Sequence, residues 1–129
     1  MATTLSLSIN ASVSGGGATV SSTASVNQTL TGANFQSTVQ DVGASTEALV
    51  ISAEIGAGGL VVVKNLTDDV GGTVVTPTMT LSTANPATST TTLSVLLPGE
   101  AYIGKPGTTT LYGISSSGNC PTQVMVSEL

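Results

Sequence analysis

The sequence has no histidine, no arginine and no tryptophan, and its 129 residues include one cysteine, one phenylalanine, two tyrosines and two lysines. Each scarcity removes a chemistry. Without histidine, the Ser-His and Cys-His pairs of nucleophilic catalysis are excluded, and so are histidine-based and multi-cysteine zinc sites. A Ser-Lys pair with Lys64 or Lys105 is formally open, but no serine is marked by its context. The single cysteine, Cys120, permits no intrachain disulfide and reads as a small buried apolar residue. Two lysines cannot displace counterions along a phosphate backbone, so nucleic acid is excluded as a partner, and an anionic membrane surface is disfavoured for the same reason. Only 7% of residues are charged and the net charge is −5, so hydroxyls and amides must solvate the surface. The start, MATTLSLSIN, lacks the basic and continuous apolar regions of a signal peptide. No stretch approaches the ~18 apolar residues of a membrane span. A chain kept soluble in a cytoplasm is the expectation.

What is present favours extended backbone. Hydrophobic residues make up 40% of the chain and are mostly Val, Leu, Ile and Ala, with 15 glycines and 5 prolines to turn it. Serine and threonine together number 39. Val and Thr are β-branched and fit a pleated, half-buried surface. Residues 4–10 alternate strictly, with Leu5, Leu7 and Ile9 on one face of a half-buried strand. Residues 10–38 are rich in Ser, Thr, Gly and Asn and read as an arm, a long edge strand or a loop, pinned to the core by Phe35. The runs 47–52 and 59–66 suit central strands packed on both faces. Pro77 makes 73–81 an edge strand or a bulge. Residues 91–99 alternate at Leu93, Val95 and Leu97, then break at Pro98-Gly99. In 122–129, Val124 and Val126 share one face and Met125 takes the other. About eight strands spaced roughly ten residues apart mark a β-sandwich or barrel. One all-β domain over 1–129 is expected, with 1–36 as an arm or long loop region.

Three constellations could carry chemistry. Gly99-x-x-x-x-Gly104-Lys105 has the letters of a phosphate-binding loop, but the hydroxyl that should follow is Pro106. That proline disfavours helical geometry at Lys105, and strand-like sequence follows where a helix N-terminus is needed. The stretch reads as a β-hairpin, with Pro106-Gly107 in its turn and Tyr102 and Tyr112 as its large core or interface residues. Asn65, Thr67, Asp68 and Asp69 could offer oxygens to calcium but lack a full binding pattern and read as a solvated turn. Glu47, Glu54, Glu100 and Glu128 are scattered, and nothing marks a glycosidase pair. The glycosylation patterns at Asn10, Asn27 and Asn65 are what chance supplies in so Ser/Thr-rich a chain. No catalytic, cofactor-binding or metal residue is assigned, and the chain is read as a non-enzyme.

The pieces VVVKNLTDD (61–69), LSVLLPGEAYIGK (93–105), TTLYGISSSG (109–118) and QVMVSEL (123–129) resemble small β-sandwich, jelly-roll-like head decoration or cement proteins of tailed bacteriophages. The resemblance covers roughly 47–129, and its motifs are short. It implies a structural virion protein on the capsid exterior, assembled in the host bacterial cytoplasm. Its partners would be the major capsid protein and copies of itself, as dimer or trimer, with no small-molecule substrate. The mechanism implied is buried area across capsomer seams, multiplied by avidity over many copies. The Ser/Thr/Gly-rich N-terminal segment is the natural arm. The alternatives are another virion component (tail, neck, baseplate or head fibre) or a surface- or carbohydrate-binding β-sandwich module.

Overall fold

Hydroxyl and β-branched side chains in short alternating runs favour extended backbone. The structure, a computed structural model, describes residues 3–15, 18–30, 34–52, 59–68, 76–85 and 91–128. Among them lie ten strands and no helix: β1 (Thr3–Gly15), β2 (Ala18–Leu30), β3 (Phe35–Val42), β4 (Glu47–Ala48), β5 (Leu60–Asn65), β6 (Met79–Ser82), β7 (Thr92–Leu96), β8 (Ala101–Gly104), β9 (Tyr112–Ser115) and β10 (Cys120–Ser127). The chain divides into two compact units, Met1–Ala33 and Asn34–Glu128.

The first unit is a hairpin. β1 and β2 pair antiparallel along their full length, from Thr3 opposite Leu30 to Gly15 opposite Ala18. The alternation at Leu5, Leu7 and Ile9 thus belongs to a strand, and the segment left open between arm, edge strand and loop is largely its antiparallel partner.

The second unit contains two antiparallel sheets of four strands, ordered β3-β10-β5-β8 and β4-β9-β6-β7. The pairs β3/β10, β4/β9, β5/β8 and β6/β7 nest within one another, as in one long hairpin. The pairings β10/β5 and β9/β6 complete the sheets. One apolar cluster joins residues of both: Val42, Val61, Val63, Val124 and Val126 from the first, and Met79, Leu81 and Leu96 from the second, with Leu49, Leu111 and Cys120. β10 shows the period-2 rule plainly, since Cys120, Thr122, Val124 and Val126 are buried while Pro121, Gln123 and Met125 are half-buried. Val124 and Val126 therefore face the core, as their alternation predicts. Gly113 on β9 is closely packed: a Cβ there would stand 3.2 Å from both Leu49 Cδ2 and Val42 Cγ1, so a larger residue would press on both methyls.

Several expectations are corrected. The run 47–52 is not a central strand, because only Glu47 and Ala48 join a ladder, at a sheet edge. β5 is central but buries one face, with Val61 and Val63 in the core and Lys64 exposed. β6 begins beyond Pro77 and lies between β9 and β7, so it is not an edge; its register shift falls at Leu81/Ser82. Phe35 does not pin anything to the core, because it is 57% exposed. Val42 faces inward, and a residue seven positions away on the same strand must face outward. The stretch 97–114 is not a hairpin either: β8 pairs with β5 and β9 pairs with β4 and β6, so the chain passes from one sheet to the other between them.

Candidate interaction surface

The corner before β8 shows how the chain changes sheets. Leu97-Pro98-Gly99-Glu100 closes with the Glu100 amide donating to the Leu97 carbonyl at 3.0 Å. Gly99 takes φ 80°, which fits a type II turn with proline then glycine at its centre. The Glu100 carboxylate accepts from the Leu97 amide at 2.9 Å and reinforces the turn. Asn65 anchors the same corner from β5. It is fully buried. Its Nδ2 donates to the carbonyls of Pro77 (3.0 Å) and Leu96 (3.2 Å), and its Oδ1 accepts from the Thr67 amide at 3.0 Å. Its backbone bonds Glu100 and Gly99. Asn65 thus spends its side-chain amide within the corner.

The other candidate chemistry stays dispersed. Residues 101–104 are strand and 112–115 are strand, so no helix N-terminus stands behind Gly99–Lys105. Tyr102 packs against the core and Tyr112 is half-buried on β9. Glu47 accepts from the Gly43 amide and Glu128 from Asn34 Nδ2, while Asp41 and Asp68 are exposed. Glu54 and Asp69 lie outside the described residues. Among the described residues, no three His, Cys, Asp or Glu side chains converge as metal ligands, and no ligand-sized cavity opens. Cys120 is buried, with Thr67 and Thr122 hydroxyls 3.9 Å from its sulfur.

What the body does offer is apolar surface. On β7, Leu96 enters the core, so Leu93, Val95 and Leu97 must face out, at 36%, 52% and 41% exposure. This reverses the ordinary reading of their alternation as a buried face. β7 is the last strand of its sheet, and residues 91–97 carry no charge. Across the ladder Val95 pairs with Thr80, and Thr80 with half-buried Ile114, so a threonine separates the stripe from the next apolar residue on the outer face. Burying a fully exposed valine or leucine side chain is worth about 1.5–3 kcal/mol, and with 36–52% of each residue still open a partner would gain roughly half of that per residue. On the other sheet Phe35 and Val39 also face out, at 57% and 63% exposure. Lone exposed apolar residues are ordinary, but a contiguous stripe on an edge strand marks an interaction surface or an aggregation hazard.

On the opposite margin the edge is closed. Gln40 Oε1 accepts from the Val50 amide at 2.8 Å and its Nε2 donates to the Ala48 carbonyl at 3.4 Å. Gln36 Nε2 donates to the Val50 carbonyl at 2.8 Å, and its Oε1 accepts from the Ser52 amide. Two side-chain amides, four residues apart on β3, thus substitute for a neighbouring strand along 48–52. The sequence held no sign of this, because a glutamine amide that imitates a peptide group is visible only once the partner segment is placed. Comparison with protein-family models, with characterised proteins and with solved structures found no match to this chain.

Proposed function

We propose that this chain is a structural virion protein that binds the outer surface of a phage capsid and stabilises it, as a head decoration or cement protein. Its body is read as a jelly-roll sandwich. Counting the eight body strands in chain order, the sheets run first-eighth-third-sixth and second-seventh-fourth-fifth. That order follows from winding one long hairpin into two facing sheets. This architecture serves viral capsid and lectin domains among others, and a fold alone does not give a function.

The observation that carries the proposal is the uncharged stripe Leu93–Val95–Leu97 on the edge of a four-stranded sheet. A cement protein needs surface that is buried only on docking, held on a rigid scaffold. Each copy adds modest buried area, and many copies add avidity across the shell. The resemblance of 61–69, 93–105, 109–118 and 123–129 to phage decoration proteins supports the assignment to virions.

Quantitative mass spectrometry of purified virions containing this protein tests it. The expected result is a copy number on the order of hundreds, matching repeated sites over a closed shell. Tens of copies or fewer point instead to a tail, neck, baseplate or fibre component. Emptied shells lacking the protein should lose heat stability and regain it on adding the protein back; shells equally stable without it overturn the cement role.

A further inference from the structure

We infer that β7 docks by strand addition: an extended, uncharged segment of the shell protein pairs with the open edge of β7 at Val95. The inference rests on the capsid reading and says how that contact is made. Residues of an antiparallel strand present their N–H and C=O alternately to one neighbour and to the other. The Ser116 amide donates to the Thr78 carbonyl at 2.9 Å, so Thr78 is turned toward β9. Met79, the next residue, is therefore turned toward β7, where it stands opposite Leu96. Leu96 turns back toward β6, so Val95 must point its N–H and C=O the other way, to the open edge. The turn after β7 agrees. Leu97 has the same parity as Val95, and its amide and carbonyl both bond Glu100, at 2.9 and 3.0 Å. Glu100 thus closes the edge at Leu97, and the register shift at Leu81/Ser82 bounds its other end. Between them, no hydrogen bond among the described residues uses the Val95 amide or carbonyl.

This edge is also unprotected. Proteins blunt exposed edges with charge, proline or very short strands. β3 carries Asp41, β4 is two residues led by Glu47, and the four residues of β8 lie between Glu100 and Lys105. β7 with its flanks, 91–97, carries neither charge nor proline.

Side chains alone do not hold a partner here. Leu93 to Leu97 spans about 13 Å and one strand is about 5 Å wide, so the footprint of the stripe is under about 100 Å². A stable contact takes about 800 Å² per partner. A paired strand adds what the stripe lacks. It exchanges both backbone bonds with Val95 and sets its own alternate side chains beside Leu93, Val95 and Leu97. Those positions of the shell segment are apolar, because a charge beside the stripe would be buried unpaired. A second copy is the weaker occupant, because a net charge of −5 on each chain keeps free copies apart. The paired stretch is short, and avidity over many shell sites makes up its strength.

Co-sedimentation with emptied shells lacking the protein separates backbone pairing from side-chain packing. Val95→Pro keeps an apolar side chain of similar size but has no amide to donate. That amide points away from β6, so the urea midpoint of the variant should stay near wild type. Val95→Ala keeps the amide and loses apolar surface. Strand addition predicts that Val95→Pro binds about tenfold more weakly than Val95→Ala. Hydrogen exchange on wild type is the second readout, and it decides if Val95→Pro loses its β circular-dichroism signal. The Val95 amide should exchange faster than those of Ser94 and Leu96 in the free protein, and should slow about tenfold or more on shells. Val95→Pro binding as well as Val95→Ala, or a Val95 amide that keeps its free rate on shells to which wild type is bound, overturns strand addition and leaves the capsid role standing. Wild type that binds no shell overturns the capsid role, and the shell segment with it. A wild-type dimer in sedimentation velocity that Val95→Pro abolishes gives the edge to a second copy and overturns the shell segment as its occupant.

Discussion

The side-chain amide of Gln40 pairs with the backbone around Val50 as a strand would, accepting from the Val50 amide and donating to the Ala48 carbonyl. Gln36 repeats the pairing at the Val50 carbonyl and the Ser52 amide. Together they tie β3, in one sheet, to the segment that extends β4, in the other. Three of the four bonds are solvent-exposed, so each contributes near the low end of the usual range, about 0.5 kcal/mol. Gln36→Ala/Gln40→Ala should lower unfolding free energy by about 1–3 kcal/mol in urea, with an unchanged denaturant slope. Hydrogen exchange at the Val50 amide should accelerate beyond what that global loss explains. Unchanged exchange at Val50 would show that the glutamines do not hold this edge.

Asn65 makes a buried counterpart to that exposed clamp. Its removal leaves the Pro77 and Leu96 carbonyls without their side-chain donor in a site closed to water. Asn65→Ala is expected to cost about 2–4 kcal/mol, the loss of several hydrogen bonds plus unpaired buried acceptors. Asn65→Asp keeps the acceptor for the Thr67 amide but sets a carboxylate against two carbonyl oxygens, and should be at least as damaging. Chemical denaturation of both variants decides it. A loss below about 1 kcal/mol for Asn65→Ala would mean that the corner closes without its anchor.

Thr38 lies between the two glutamines on the same face of β3, and its hydroxyl oxygen is buried without a hydrogen-bond partner. Replacing it with valine, which has the same shape, removes an unpaired polar group and keeps the packing. Thr38→Val is expected to raise stability by about 1 kcal/mol, read as a higher urea midpoint. A lower midpoint would indicate that the hydroxyl is satisfied in solution.

Parity explains which parts of this architecture could be read from residues alone. The alternation in 122–129 correctly grouped residues by face, and β10 turned the face carrying Val124 and Val126 inward. In β7 the same reasoning grouped Leu93, Val95 and Leu97 correctly but could not say which side was in. Leu96, of opposite parity, was an equally good core residue, and the fold chose it. Phe35 failed for the same reason, being of opposite parity to Val42 on β3. The turn chemistry at Pro98-Gly99 was legible, whereas the pairing across it was not: β8 finds its partner in β5 some forty residues back, between Val61 and Gly104. The candidate surface therefore lay in letters that looked like core.

The stripe itself gives the sharpest mutational test. Val95 is 52% exposed on the outer face of β7 and faces Thr80 across the ladder, so Val95→Lys meets no packed neighbour in the core. Stability should change by no more than about 0.5 kcal/mol, as for surface substitutions generally. A lysine at the centre of a docked apolar stripe must instead be desolvated without a partner, which costs several kcal/mol per site. Binding of the variant to emptied capsids should fall at least about a hundredfold by co-sedimentation, while its urea midpoint stays with wild type. Val39→Lys, on the other sheet, is the matched control and should bind normally. Equal binding by Val95→Lys and wild type would remove β7 as the docking edge, and loss with Val39→Lys alone would move the contact to the face of β3.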